Sequence, residues 1–118
     1  MISLEEVRRR LRAGELSDDQ ALLFANAAVR DQPSAGWWLL RGRLIQLSEG
    51  PGYQLEDAEA SFQQAVLLEP GNPEPYEELG HYYDIQLEPE RARFYYRAAL
   101  ERGAGPDCAE ALAAVEDE

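Results

Sequence analysis

The stretch YEELGHYY, residues 76–83, places large side chains and one glycine on the same side of a helix. Four residues stand at relative positions 0, 3, 4 and 7, the spacing of side chains that share a helical face: Tyr76, Leu79, Gly80 and Tyr83. A glycine inside a helix costs about 1 kcal/mol relative to alanine. We therefore expect Gly80 to lie where a second helix approaches closely, facing Ala92 across the contact.

Capping and breaking residues divide the rest of the chain into about seven helices. Ser3 with Glu6 forms the capping-box pattern that opens a helix, and Ser17 repeats this pattern. Glycine and proline mark the remaining turns. The expected helices begin near residues 3, 17, 34, 55, 73, 89 and 106. Their short connections favour antiparallel neighbours, so the predicted fold class is all-α.

Small and aromatic residues recur along the chain at a nearly constant interval. In the second helix of each pair the interval is 34 residues: Ala58, Phe62 and Ala65 return as Ala92, Tyr96 and Ala99. In the first helix of each pair the interval is 38 residues: Trp38, Gly42 and Ile45 return as Tyr76, Gly80 and Tyr83. Self-similarity of this length indicates a repeated helical hairpin.

The recurring pattern resembles the tetratricopeptide repeat, which reads aromatic-x2-Leu-Gly-x2-Tyr, then Ala-x3-aromatic, then Ala, then Pro. Residues 73–104 match every one of these positions except the last, where Ala104 replaces the proline. Residues 35–72 match with Arg41 in the leucine position and with a longer turn at residues 49–56. The resemblance implies an α-solenoid of antiparallel helix-turn-helix hairpins.

On this resemblance the whole chain, residues 1–118, is a single domain. It would comprise a degenerate repeat at 1–34, the repeats at 35–72 and 73–104, and a capping helix at 105–118. The turn at 49–56 is expected to be a solvated bulge, although Tyr53 could touch a ligand there. Trp37 is interpreted as a packed residue, with a partner anchor as the alternative.

Composition excludes several kinds of chemistry. The chain has no lysine, which removes Schiff-base catalysis and the Walker-type phosphate loop. A single histidine, His81, cannot build a multi-histidine metal site, and Cys108 has no partner for an internal disulfide. Glu78 and His81 have the spacing of a di-iron ligand pair, but the second pair is missing. We expect no catalytic site, no metal and no cofactor.

The tetratricopeptide resemblance implies a concave surface lined by the first helix of each repeat. Its expected partner-binding residues come from three such helices: Arg10, Leu39, Arg43, Gln46, Leu47, Glu74, Glu77, His81 and Asp84. The expected function is a non-catalytic interaction module that holds a partner peptide or domain. A self-assembling scaffold of several copies is the alternative.

The net charge of the chain limits the kinds of partner that it is expected to bind. The net charge is −12, and from Leu44 to Glu90 there are eleven carboxylates and no arginine. This field favours a partner segment that is basic or has a free amino terminus. It disfavours nucleic acid and anionic membranes as partners. The acidic residues could also serve only solubility. The amino terminus has no signal-peptide pattern, so a cytoplasmic location is expected.

Overall fold

The computed structural model of the chain describes residues 2–48 and 52–117. Throughout these residues the regular elements are helices, which confirms the all-α prediction. Seven helices follow one another in the described ranges: α1 (Leu4–Arg12), α2 (Asp18–Asp31), α3 (Ala35–Leu47), α4 (Leu55–Leu68), α5 (Pro73–Ile85), α6 (Pro89–Glu101) and α7 (Pro106–Glu116). None of them combines the length and the apolar character needed to cross a bilayer.

Local hydrogen bonds explain where the helices begin. The Ser17 hydroxyl accepts from the backbone of Gln20, and the Gln20 side chain accepts from the backbone of Ser17, as a capping box requires. Ser3 and Ser34 cap α1 and α3 with one hydrogen bond each: their hydroxyls accept from the backbone N–H of Glu6 and of Trp37. Asn72 caps α5 through the backbone N–H of Glu74. These starts depend on three or four adjacent residues, which is why the sequence predicts them well.

The chain forms two compact units, Met1–Ala65 and Val66–Glu118, with the boundary inside α4. In the first unit α2 packs against α1 and α3. Helix α3 is enclosed on most of its circumference, and its buried residues are Ala35, Trp37, Leu39, Leu40, Gly42, Leu44 and Ile45. The interpretation of Trp37 as a packed residue is therefore confirmed.

In the second unit α6 packs against both α5 and α7. Gly80 lies against the ring of Tyr96, and a Cβ placed on Gly80 would overlap that ring. Gly42 has the same relationship to Phe62 in the first unit. The close approach expected at each glycine is confirmed, but the nearest side chain is the aromatic residue rather than Ala92 or Ala58. The glycine makes room for a ring that fills the hairpin.

The turn between α5 and α6 contains the non-glycine residue with positive φ, Leu87 at 60°, within the described ranges. The backbone N–H of Glu88 donates to the carbonyl of Tyr83 at 2.9 Å, and that of Leu87 donates to Asp84 at 3.1 Å. These bonds resemble a Schellman-type helix end, where glycine is the usual residue. Leu87 is also 85% exposed, so its side chain gains little from burial.

Two sequence expectations concern segments where the structure differs or is not described. The predicted bulge at 49–56 lies partly outside the described residues, which omit 49–51. The capping helix predicted at 105–118 corresponds to α7. From the sequence, the residues expected to cover the last hairpin are Ala109, Leu112, Ala113 and Val115. Val115 is buried and Leu112 is half-buried, whereas Ala109 and Ala113 are exposed and Cys108 is buried in their place. Small side chains spaced around a short helix do not by themselves fix which side is covered.

Candidate functional site

Three predicted partner-binding residues lie on one side of α5. Glu77, His81 and Asp84 are separated by four and three residues, so they follow one another along a single helical face. His81 is exposed, while Glu77 and Asp84 are half-buried. Together with the exposed Glu74 at the start of the helix, these residues are called the α5 acidic row below. The row presents three carboxylates and one imidazole.

Tyr96 of α6 contacts two members of this row, Asp84 and His81. Its side chain is fully buried, and its hydroxyl lies 3.2 Å from Oδ2 of Asp84 and 2.9 Å from Nδ1 of His81. The rings of Tyr96 and His81 meet edge to face, with centroids 5.3 Å apart. The single hydroxyl proton can be donated to only one of these partners. When it goes to the Asp84 carboxylate, the hydroxyl oxygen accepts from His81 Nδ1–H.

This arrangement changes the acidity of Tyr96. Burial raises the pKa of the phenol well above its ordinary value of 10, and the neighbouring charge of Asp84 raises it further. Tyr96 therefore keeps its proton at neutral pH and acts as a fixed donor. Its role in the row is to hold Asp84 and His81 in place.

Cys108 of α7 contacts Glu77, another member of the same row. The thiol is buried, and its sulfur lies 3.5 Å from the backbone carbonyl of Tyr96. Burial raises the pKa of Cys108 to about 11, and Glu77 adds to the increase through its charge and a hydrogen bond. A protonated, enclosed thiol is a poor nucleophile. Cys108 is thus a packing residue.

The other predicted partner-binding residues have different environments. Arg10 is half-buried and donates through Nε to Glu6 at 2.9 Å. Arg9 and Arg10 together hold the pKa of Glu6 at about 2, with the bond from Arg9 the larger cause. The remaining predicted residues belong to α3, where Arg43 and Gln46 are half-buried and Leu47 is 63% exposed.

The prediction for Leu39 is wrong. Leu39 is only 1% exposed and belongs to the core of the first unit, so it cannot line an open binding surface. An amphipathic helix with a single buried face would leave this position open. Because α3 is enclosed on most sides, the position that should face a partner is instead covered by the protein itself.

A polar network in the first unit was not predicted. Arg41 donates from Nε to Oδ1 of Asn26 at 2.8 Å and from Nη1 to the buried hydroxyl of Ser61 at 2.6 Å. Asn26 in turn donates to the hydroxyl of Tyr53 at 2.6 Å. The signal in the sequence was an arginine at the leucine position of the repeat pattern. Tyr53, which the sequence allows as a ligand contact, is engaged in this network.

Within residues 2–48 and 52–117, no group of three or more His, Cys, Asp or Glu side chains has a geometry that could hold a metal ion. No protein-family model matches the chain, and a comparison with curated proteins finds no match either. Function is therefore inferred from the geometry and charge of the chain itself.

Proposed function

We propose that this chain is a non-catalytic protein-binding module of the tetratricopeptide type, and that the α5 acidic row binds a basic segment of its partner. The observation that carries the proposal is the arrangement of Glu77, His81 and Asp84 on one face of α5, with Asp84 and His81 held by Tyr96. A binding surface needs side chains that are accessible and also fixed in position. The row has both properties.

The spacing within the row suggests what kind of segment fits. Glu77 and Asp84 are seven residues apart on α5, which corresponds to about 10 Å along a helix axis. In a peptide with polyproline II conformation, residues three positions apart lie on the same side and are separated by about 9 Å, at about 3.1 Å per residue. A partner with two arginines in the pattern Arg-x-x-Arg could thus reach both carboxylates. Each arginine would form a charge-assisted pair.

Half-burial strengthens the charge attraction in such pairs relative to ordinary surface ion pairs. Two unit charges 4 Å apart interact by about 4 kcal/mol at an effective dielectric constant of 20, against about 1 kcal/mol in water. Exposed pairs gain little because water and salt screen them. Glu77 and Asp84 are half-buried, so part of that screening is already absent before a partner arrives.

The test uses a fluorescent peptide with the pattern Arg-Ala-Ala-Arg and a matched peptide with glutamine in place of each arginine. Fluorescence anisotropy should report binding of the arginine peptide only. The double variant Glu77→Gln, Asp84→Asn keeps the side-chain shapes and removes two charges, so affinity should fall by roughly tenfold or more.

The matched control is Glu110→Gln with Asp117→Asn, which removes the same charge from exposed positions of the α7 region. It should leave the affinity within a factor of about two, because solvent and salt screen these exposed charges. Equal losses in the two double variants would mean that net charge alone attracts the peptide. In that case the α5 acidic row would not be a binding site.

A further inference from the structure

Helix α6 has a second face, apart from the side that packs beneath the α5 acidic row. Its core face carries Ala92, Tyr96 and Ala99, all fully buried. A different side of the helix borders a groove of about 570 Å³, whose far wall is formed by Tyr76 and Arg102. The α6 side of this groove is lined by Glu90, Arg93, Phe94, Arg97, Ala98 and Glu101, and the first four of these residues are called the α6 outer face.

Two hydrogen bonds and a cation–π contact hold the far wall of the groove in place. Arg102 donates from Nε to the carbonyl of Pro70 and from Nη1 to that of Ala98, each at 2.8 Å. Its guanidinium carbon lies 4.0 Å from the centre of the Tyr76 ring, which is a close cation–π contact. The groove is thus bounded by a fixed, flat surface suited to an apolar or aromatic side chain.

Phe94 is the apolar projection on this face. It is 65% exposed, although a phenylalanine gains most of its stabilising free energy from burial. An aromatic side chain beside a groove offers a partner an apolar anchor, since aromatic residues are enriched at protein interfaces. A partner that fits this face must cover the ring and also match the charges on either side of it.

We propose that the α6 outer face binds a second copy of this chain, in an antiparallel pair related by a two-fold axis between Arg93 and Phe94. In this register Glu90 of each copy faces Arg97 of the other. Arg93 of each copy faces Phe94 of the other. The pair therefore contains two kinds of contact, an ion pair and a cation–π contact, each occurring twice by symmetry.

Repulsion between like charges disfavours the neighbouring register, in which the two-fold axis passes through Tyr95. If the axis passed through Tyr95, Arg93 of one copy would face Arg97 of the other, and two pairs of like charges would meet. Antiparallel helices pack about 8–10 Å apart, a distance at which opposed side chains touch. With the axis between Arg93 and Phe94, the order acid, base, aromatic, base along residues 90, 93, 94 and 97 is complementary to itself.

Existing contacts on α6 are compatible with this pairing. Arg97 already forms an exposed ion pair with Glu116 through Nη2. A guanidinium has five N–H donors, so Arg97 can keep this partner and still bind a second carboxylate. The net charge of −12 on each copy opposes association, but at about 0.15 M salt the screening length is only about 8 Å. The ion pairs within the interface are partly shielded from solvent, so salt screens them less than it screens the repulsion between the two copies.

Sedimentation velocity over a concentration series, from about 10 µM to about 500 µM, tests the proposal. We expect the wild-type chain to dimerise reversibly. Glu90→Arg alone and Arg97→Glu alone should each be monomeric, because each places like charges opposite one another in a homodimer. An equimolar mixture of the two variants should dimerise again, since positions 90 and 97 then carry opposite charges wherever they face each other across the interface.

Circular dichroism and thermal melts show whether each variant is folded, so loss of folding cannot be mistaken for loss of association. The control Glu110→Arg makes the same charge change on α7 and should leave dimerisation intact. A wild-type chain that stays monomeric to the highest concentration would overturn the proposal. Wild-type association without restoration in the mixed sample would also overturn it and would assign the contact to another surface.

Discussion

The ring of Tyr96 lies against the backbone of Gly80, and its hydroxyl lies within hydrogen-bonding distance of Asp84 and His81. One residue thus fills the space between α5 and α6 and also fixes two polar side chains on the surface of α5. The packing of the hairpin and the geometry of the α5 acidic row are coupled through it. A change at Gly80 should therefore affect the row as well as the core.

Gly80→Ala should lower the free energy of unfolding by about 1–3 kcal/mol, because the new methyl group overlaps the Tyr96 ring. Urea unfolding followed by circular dichroism measures the change. Gly71→Ala is the matched control, since an added Cβ there meets nothing within 4 Å. It should change stability by less than about 0.5 kcal/mol. A Gly80→Ala variant as stable as the control would contradict the assigned contact.

Tyr96→Phe should keep the packing of the ring and remove the hydroxyl, so stability at neutral pH should fall by about 0.5–1.5 kcal/mol. The ¹H–¹⁵N NMR resonances of the His81 side chain should also change, since Nδ1 loses its neighbour. Tyr53→Phe serves as a comparison, because its hydroxyl accepts from Asn26 in the first unit. That variant should leave the His81 signals where they are. Unaltered His81 signals in Tyr96→Phe would show that the hydroxyl is not bonded to the imidazole.

Alkaline pH should destabilise the protein through Cys108 and Tyr96. Both groups have pKa values that are higher in the folded chain than their ordinary values of 9 and 10. The folded state then holds protons that the unfolded state has lost, so the free energy of unfolding falls as pH rises above about 9. Urea titrations at several values between about pH 7 and about pH 10.5 measure the decline. The double variant Cys108→Ala, Tyr96→Phe should show a shallower decline, and identical slopes would refute this explanation.

Leu87→Gly should leave the protein as stable as before or more stable by about 0.5–1 kcal/mol. A left-handed backbone costs a non-glycine residue about 1–2 kcal/mol, and glycine removes that cost while adding chain entropy of about 0.5–1 kcal/mol to the unfolded state. The neighbouring residue Gln86 has φ −76°, so Gln86→Gly should only destabilise. If thermal melts gave the two variants the same loss of stability, the left-handed turn at Leu87 would be contradicted.

Arg41→Leu restores the residue that the repeat pattern favours, yet it should destabilise the first unit by about 1–3 kcal/mol. The substitution removes the donors that Arg41 supplies to Asn26 and Ser61. Arg30→Leu provides a comparison in the same unit, at an arginine whose side chain is 73% exposed. We expect a smaller loss there, measured by urea unfolding. Greater stability in Arg41→Leu would mean that the polar network contributes nothing.

Several features followed from short stretches of sequence because they depend on neighbouring residues. The serine and asparagine caps, the prolines at the first turn of α5, α6 and α7, and the glycine-containing helix ends each involve bonds within a few positions. The alternation of large and small residues in YEELGHYY likewise predicted a close approach at Gly80. The α5 acidic row could be recognised for the same reason, since one helix carries it.

Other features required the tertiary structure because distant residues decide them. Leu39 is buried although its position in the helical pattern suggested an open surface, since α3 is enclosed on most sides. Tyr96 reaches Asp84 and His81 across a hairpin, and Arg41 joins Asn26 to Ser61 across two others. The sequence alone therefore determined the helices and the close approach at each glycine, through local hydrogen bonds and periodicity, but not which side chain fills the space. Only the folded chain decided which side chains stay accessible, because burial depends on all the elements that surround a residue.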